Sequence, residues 1–169
     1  MLVGILSDTH DRADMAASAI EMLRTRGAEF YLHCGDVGGE RVLDQLAGLP
    51  GGFVWGNNDW DRQELGRYAE QLKITCYGTE ADITLAGKRF AMIHGDDFAA
   101  KRRIIESQEF DYLLLGHTHV RQRERAGKTI IINPGALHRA REKTVALLET
   151  ESGVVDFLIV RESKFTGGQ

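Results

Sequence analysis

The amino-acid sequence predicts a layered α/β protein, with a mixed sheet or a pair of sheets beneath outer helices. Apolar strand-like runs alternate with helix-like segments through the first two-thirds of the chain, which is the pattern of βαβ units covering a buried sheet. The rest of the chain contains hairpin patterns that turn at glycine. A length of 169 residues fits one domain, residues 1–169, with its own hydrophobic core.

The first half of the chain supplies strands and helices in alternation. Buried strands are predicted for LVGIL (2–6), EFYLHC (29–34) and GFVW (52–55). Helices are predicted for DMAASAIEMLRTR (14–26), ERVLDQLAGL (40–49) and RQELGRYAEQL (62–72), the last weakened by Gly66. In the first helix Met15, Ala19 and Met22 recur at helical spacing, and Gly27 is a suitable residue to end it.

The second half of the chain predicts three hairpins. Their segments are 81–93 turning at Gly87-Lys88, 121–132 turning at Gly127-Lys128, and 144–160 turning near Ser152-Gly153. A helix at 98–107 and the strand YLLL (112–115) lie between the first two hairpins. Residues 161–169 are expected to form a frayed tail.

The composition excludes several classes of protein. Apolar residues make up 43% of the chain and charged residues 27%, and no apolar run reaches the roughly 20 residues that a spanning helix needs. The N-terminus lacks the basic region of a signal peptide, so a cytoplasmic protein without membrane association is expected. The net charge of −4 gives no general attraction for nucleic acid. Cys34 and Cys76 are expected to be free thiols, which excludes a thiolate metal cage.

Potential metal ligands follow most of the predicted strands. They are Asp8, His10, Asp36, Asn57, His94, His117 and His119. Because ligands of α/β proteins bind beyond the carboxyl ends of the strands, these side chains can meet in space. His117 and His119, at i and i+2 of an extended segment, project from one face and can converge on an ion. Taken singly, Asp8 could instead cap a helix, Asp36 could open a turn and the histidine pair could be ordinary loop residues.

The ordered motifs resemble those of the calcineurin-like metallophosphoesterase superfamily, and most closely its small single-domain prokaryotic phosphodiesterase branch. The motifs are D-x-H (Asp8, His10), GD (Asp36), GN (Asn57), HGD (His94) and GHTH (His117, His119), and the match runs from residue 3 to about 138. The resemblance implies a four-layer α/β/β/α sandwich of two mixed sheets with two divalent metals at the strand ends. It also implies that Asp8, His10 and His119 hold one metal, that Asn57, His94 and His117 hold the other, and that Asp36 bridges them.

The donor set favours transition-metal ions. Imidazoles and carboxylates without thiolate suit Mn²⁺ first, with Fe, Zn²⁺ or Ni²⁺ as alternatives, and argue against Mg²⁺ or Ca²⁺. Two divalent ions exceed the charge of the Asp8 and Asp36 carboxylates, so an anionic phosphate ester, possibly nucleotide-like, is the expected substrate. A metal-bridging hydroxide is the predicted nucleophile, and no catalytic side chain is nominated.

The resemblance predicts hydrolysis of phosphodiesters. A phosphomonoesterase or nucleotide pyrophosphatase with the same core is the enzymatic alternative, and a non-catalytic protein-binding scaffold, as in the retromer scaffold subunit, is the other. A homo-oligomer is compatible with the sequence. Larger members of the superfamily carry histidine directly after the ligand asparagine, where this chain has Asn58. Asn58 is a candidate for binding substrate, but an amide cannot deliver a proton, so we expect dependence on a good leaving group or recruitment of another acid.

Four other conspicuous side chains receive structural interpretations. His33 is expected to be packed inside its strand, and His138 is expected to be a loop residue close enough to the strand ends to meet substrate. Trp55 and Trp60 flank the GNND segment; core packing and loop anchoring are favoured over an aromatic wall for a nucleobase. The basic run at 121–128 is expected to be a solvated hairpin.

Overall fold

The computed structural model describes residues 1–162, which form two mixed sheets and four helices. The strands are β1 (Leu2–Leu6), β2 (Phe30–His33), β3 (Gly51–Phe53), β4 (Thr75–Cys76), β5 (Glu80–Leu85), β6 (Lys88–Ile93), β7 (Tyr112–Leu114), β8 (Gln122–Ala126), β9 (Thr129–Asn133), β10 (Thr144–Glu149) and β11 (Val155–Ile159). The helices are α1 (Ala13–Thr25), α2 (Glu40–Leu46), α3 (Arg62–Gln71) and α4 (Phe98–Ser107). Of the predicted tail, Arg161 and Glu162 have no regular structure, and 163–169 lie outside the described residues.

Parallel strands form the centre of both sheets. The six-stranded sheet has the order β11-β10-β1-β2-β3-β4, in which β1 to β4 run parallel and β10 is antiparallel to β1. The five-stranded sheet has the order β5-β6-β7-β9-β8, with β6, β7 and β9 parallel between antiparallel edges. The carboxyl ends of the parallel strands therefore lie along one edge of each sheet.

Strand alternation divides the core into three layers. Phe90 and Met92 of β6 face the other sheet, whereas Ala91 and Ile93 pack with Ile104 of α4. In the six-stranded sheet, Val3 and Ile5 likewise face inward. The outer face of that sheet packs against α1, α2 and α3 through residues that include Leu6, Met15, Leu23, Leu43, Phe53 and Leu65. The period-2 pattern of buried strands thus produces the predicted four-layer α/β/β/α sandwich.

The limits of some strands, turns and helices differ from the sequence prediction, because the sequence patterns that mark them span only a few residues. The two-residue strand β4 was not predicted, because two residues carry no periodicity. The first hairpin turns at Ala86-Gly87, one residue earlier than predicted, with φ of 49° and 74°, the double positive φ of a type I′ turn. Helix α2 ends at Leu46 because Ala47 has an extended ψ of 131°. Within residues 1–162, no helix combines the length and apolarity needed to cross a membrane.

Candidate metal centre

Strand ends from both sheets bring most of the predicted ligands into one small volume. Asp8 and His10 follow β1, Asp36 follows β2, His94 follows β6 and His119 follows β7. Two groups of possible ligand atoms result, each with all atoms within 4.8 Å of one another: Asp8, His10 and His119, and Asp8, Asp36 and His94. Asp8 belongs to both groups, so the two sites adjoin.

The first group surrounds Oδ1 of the Asp8 carboxylate. Nε2 of His119 lies 3.1 Å from this oxygen and Nε2 of His10 lies 4.0 Å from it. Two atoms that each bind one ion at about 2.1 Å can be at most about 4.2 Å apart. Both distances to Oδ1 fall within this limit, so a cation can contact the Asp8 carboxylate together with either imidazole.

The second group surrounds the Asp36 carboxylate. Its Oδ2 atom lies 3.3 Å from Nε2 of His94 and 3.5 Å from Nε2 of His10. Asp36 thus lies between a histidine of each group, whereas Asp8 is the residue that the two groups share. Nδ1 of His94 is engaged with the carbonyl oxygen of Cys34 at 2.8 Å, which directs Nε2 toward the carboxylates.

Asn57 and His117 lie at the border of this volume and contact each other. Oδ1 of Asn57 is 3.1 Å from Nδ1 of His117. The His117 ring packs edge-on against His94, with centroids 5.2 Å apart, but His117 is in neither of the two compact groups. Both residues therefore adjoin the centre through His94.

Several of the candidate ligand atoms lack a hydrogen-bond partner. Among the described residues, the buried side-chain atoms without a hydrogen-bond partner are Asp8 Oδ1, His10 Nε2, His94 Nε2 and Ser7 Oγ. Three of these four atoms belong to the two ligand groups. Because buried polar atoms are otherwise almost always paired, this arrangement fits the binding of cations.

Strained backbone positions the ligands. Asp8, His10, Asp36, His117 and His119 have φ between 45° and 68°, the left-handed region that costs a non-glycine residue about 1 kcal/mol or more. Half of the ten non-glycine residues with positive φ in the described chain are thus predicted ligands. Such strain persists only where surrounding contacts impose it, and it is concentrated at functional sites.

Two glycines leave room for the carboxylates. A Cβ atom on Gly56 would lie 2.1 Å from Oδ1 of Asp36, and one on Gly116 would lie 2.0 Å from Oγ of Ser7 and 2.8 Å from Oδ2 of Asp8. Neither gap is compatible with a side chain. The glycines of the GN and GHTH motifs are therefore required by close packing around Asp36 and Asp8.

Asp59 supports the site, a role that sequence reasoning missed. This buried carboxylate accepts hydrogen bonds from the amides of Asp36 (3.0 Å), Gly38 (3.0 Å) and Gly56 (2.7 Å). It thereby ties the loop after β2 to the loop after β3. The only sequence signal for this role is its place two residues after Asn57.

Asn58 holds the Asp36 carboxylate. Its backbone amide donates to Oδ1 and its side-chain amide donates to Oδ2, both at 2.8 Å. The side chain predicted to meet substrate is therefore engaged with a candidate ligand.

The carboxylates give the site a preference for positive charge. Burial opposes protonation of His94, but the negative charges of Asp36, whose Oδ2 lies 3.3 Å from Nε2, and of Asp8 outweigh it and raise the pKa of His94 to about 9. Burial alone would raise the pKa of Asp36, yet the nearby His94 ring and the hydrogen bonds from Asn58 hold it well below its ordinary value. A proton or a metal cation is stabilised at this place.

The other conspicuous residues lie around the centre. His33 is fully buried, with Nε2 2.9 Å from Oγ1 of Thr9 and Nδ1 accepting from the Gly35 amide. The His138 ring lies 5.3 Å from that of His10. Trp55 packs in the core against Phe53, as expected. Trp60 is 85% exposed, so the expectation that it packs as a loop anchor does not hold.

A two-sheet α/β/β/α sandwich with imidazoles and carboxylates gathered at its strand ends defines the class of calcineurin-like phosphoesterases. The chain belongs to the calcineurin-like phosphoesterase superfamily, whose domain matches residues 1–153. Proteins of this superfamily use divalent metals.

Similar proteins include archaeal enzymes. A phosphodiesterase of Methanocaldococcus jannaschii is 28% identical over 156 residues, which cover 89% of this chain and 94% of the relative. The solved structure of an archaeal phosphodiesterase superposes with a TM-score of 0.85 at 26% identity, covering 95% of this chain and all of the other. Vps29 of Entamoeba histolytica, solved with zinc, has a TM-score of 0.65 at 19% identity over 95% of this chain and 98% of the other, a likeness of fold alone.

Proposed function

We propose that this protein is a two-metal phosphodiesterase. The observation that carries the proposal is the convergence of unpartnered buried donor atoms, Asp8 Oδ1, His10 Nε2 and His94 Nε2, at the strand ends. Membership of a phosphoesterase superfamily supports it. The preference for diesters is drawn from the similar proteins named phosphodiesterases.

The proposed ligand sets combine the first group, Asp8, His10 and His119, with the assignment that the motifs imply for the second cation. Asp8, His10 and His119 would hold one cation, and His94, with Asn57 and His117 beside it, would hold the other, while Asp36 would contact both. When bound, the cations would supply Lewis acidity toward the phosphoryl oxygens and a water activated at neutral pH.

The chain's own residues fix the geometry of that chemistry. Asn58 holds both oxygens of Asp36, and the Cys34 carbonyl orients His94. The Asp8 and Asp36 carboxylates attract the cations. Asn58 stands where larger members of the superfamily carry histidine, and because its amide holds Asp36 and cannot release a proton, this position gives the leaving group no acid.

Hydrolysis assays test the diester preference. Purified protein supplied with Mn²⁺ should hydrolyse bis(p-nitrophenyl) phosphate faster than p-nitrophenyl phosphate. The Asp8→Asn variant should lower kcat/KM on the diester by about 100-fold or more, because removing a direct ligand should cost at least as much as removing a residue behind it. The matched exposed control, Asp156→Asn, should behave as wild type. Turnover of the monoester alone would favour the phosphomonoesterase alternative.

Metal analysis tests the two-metal assignment. Elemental analysis of dialysed protein should find two transition-metal ions per chain in the wild type and fewer in Asp8→Asn. Titration of the metal-free protein with Mn²⁺, Fe²⁺, Zn²⁺ and Ni²⁺ ranks the candidate metals by affinity and restored activity. One ion per chain at saturation would contradict the assignment.

A non-catalytic scaffold is the second candidate. The shared fold of Vps29 motivates it, but the described site keeps a metal-competent side chain at each motif position. A scaffold would bind a protein partner without needing these residues. Protein that holds metal yet hydrolyses neither ester would favour the scaffold.

A further inference from the structure

A basic loop borders the metal centre on the side of His119. Residues 138–143, between β9 and β10, read HRAREK, so three of the six side chains, Arg139, Arg141 and Lys143, are cationic and one is acidic. This local excess contrasts with the overall charge of −4. The loop is therefore a place where an anion is attracted independently of the whole chain.

The arginines of this loop are free to bind a ligand. Within residues 1–162, the side chains of Arg139 and Arg141 form no hydrogen bond or ion pair. By contrast, Arg102 and Arg103 on α4 pair with Glu106 and Glu80. A free guanidinium presents several donors in a planar fork that matches a phosphate group.

The basic loop and the metal centre share one depression. Its volume is about 400 Å³, and it is lined by His119, Val120, Arg121, Ala140, Arg141, Glu142 and Thr144. His119 belongs to the first ligand group, with Nε2 3.1 Å from Asp8. A ligand bound at the metals can therefore extend toward Arg121 and Arg141.

The ends of the loop are anchored. The hydroxyl of Thr144 donates to the Pro134 carbonyl at 2.7 Å, and the Leu137 amide donates to the Ser7 carbonyl at 3.3 Å. Arg139 itself is held at a φ of 51°. The loop is thus built into the fold at the strand ends, which lowers the cost of ordering it around a ligand.

We propose that Arg121 and Arg141, which line the depression, form with Arg139 of the same loop a second anion site, which binds a phosphate of the substrate other than the one at the metals. The inference rests on the proposed function and narrows its substrate to a phosphodiester that carries a further phosphate. That phosphate could belong to the polyphosphate bridge of a dinucleotide or to the next nucleotide of a short strand. Arg121, 3.3 Å from Glu142, contributes beside the two free arginines.

A comparison of activity on three substrates tests the proposal. The Arg139→Ala/Arg141→Ala variant is compared with wild type on bis(p-nitrophenyl) phosphate, a dinucleoside tetraphosphate and a 5′-phosphorylated dinucleotide. The ratio of kcat/KM for at least one phosphate-bearing substrate to that for the simple diester should fall about 10-fold, mainly through KM, as expected for lost charge-assisted hydrogen bonds. The affected substrate identifies the source of the phosphate.

The matched control removes two arginines elsewhere. Arg102→Ala/Arg103→Ala on α4 should leave all three activities unchanged. An equal fall on all three substrates in the loop variant, or no fall on any, would overturn the proposal.

A binding measurement separates this inference from the proposed function. Calorimetry with inorganic tripolyphosphate and metal-free protein should give a Kd about 10-fold weaker in the loop variant than in wild type or the α4 control. Equal binding by all three proteins would overturn the anion site even if the enzyme is active. If wild type hydrolyses no diester but the loop variant still binds tripolyphosphate more weakly, the anion site stands and the proposed function fails.

Discussion

The backbone amide of His117 donates a 3.1 Å hydrogen bond to Oδ2 of Asp8, joining residues 109 positions apart. Asp8 follows a strand of the six-stranded sheet and His117 follows a strand of the other. One carboxylate oxygen thus links the two sheets while the other, Oδ1, is free of hydrogen bonds among the described residues. The packing of the sheets and the availability of the ligand atom depend on the same side chain.

Asp59→Asn tests the support of Asp36. The NH₂ group of the asparagine would face a backbone N–H of Asp36, Gly38 or Gly56, and two donors cannot form a hydrogen bond. The loops after β2 and β3 should therefore separate. Removing such support typically lowers metal affinity about 10- to 100-fold. Mn²⁺ calorimetry checks this against Asp61→Asn, which alters only the N-terminal cap of α3. Unchanged Mn²⁺ affinity in folded Asp59→Asn would show that the carboxylate is dispensable.

Two glycine substitutions should have opposite effects. Gly56→Ala would drive a methyl group against Asp36 Oδ1, so we expect lost metal binding and a lower free energy of unfolding. Gly66→Ala, inside α3 with the nearest atom 3.8 Å away, should stabilise by about 0.5–1 kcal/mol through helix propensity. Urea unfolding of both variants checks the pair. A tolerated Gly56→Ala would mean that Asp36 can move without consequence.

Asn58→His should restore a proton donor. An imidazole can protonate a departing alkoxide, whereas the side-chain amide of Asn58, which is bonded to Asp36, cannot. We expect kcat/KM on esters of poor leaving groups to rise about 10-fold, a modest share of what general acids supply, with little change for p-nitrophenyl esters. Asn58→Gln keeps an amide and serves as control. If the dependence on leaving-group pKa is as steep in Asn58→His as in wild type, the missing acid is not the limit.

His33 should make the fold acid-sensitive. Burial lowers the pKa of His33 from 6.5 to about 3, and the nearby charge of His94 acts in the same direction. Below pH 6.5 the unfolded chain binds a proton at His33 and the native protein does not. The contribution of His33 to the free energy of unfolding is therefore complete above pH 6.5. It is lost as pH falls toward 3, by about 1.4 kcal/mol per pH unit.

A comparison of wild type with a His33 variant isolates the contribution of this histidine. The free energy of unfolding is determined between pH 4 and 7 in EDTA for wild type and His33→Gln. The variant should be less stable at pH 7 and should show a shallower decline below pH 6.5. Parallel curves would show that His33 does not titrate on unfolding.

The sequence predicted what repeats along the chain and missed what forms only on folding. Strand β1 and helix α4 match their predicted limits of 2–6 and 98–107 because their apolar periodicity and end signals agree. The expectation that ligands lie beyond the carboxyl ends of the strands likewise predicted that Asp8, Asp36 and His94 come together. The three amides that donate to Asp59 come from two loops that are distant in sequence, and no local pattern predicts them. The exposure of Trp60 also depends on tertiary packing, because no other element covers its side chain among the described residues.

The positive φ angles have a consequence for how this scaffold can vary. Asp8, Asp36 and His117 take their unusual backbone conformations within three residues of the strand that precedes them. Their orientation is therefore set beside the rigid sheet, with the hydrogen bonds of Asn58 and Asp59 in support, and depends less on the segments farther along each loop. Lengthening or exchanging those segments can alter what the protein recognises while the machinery beneath keeps its shape.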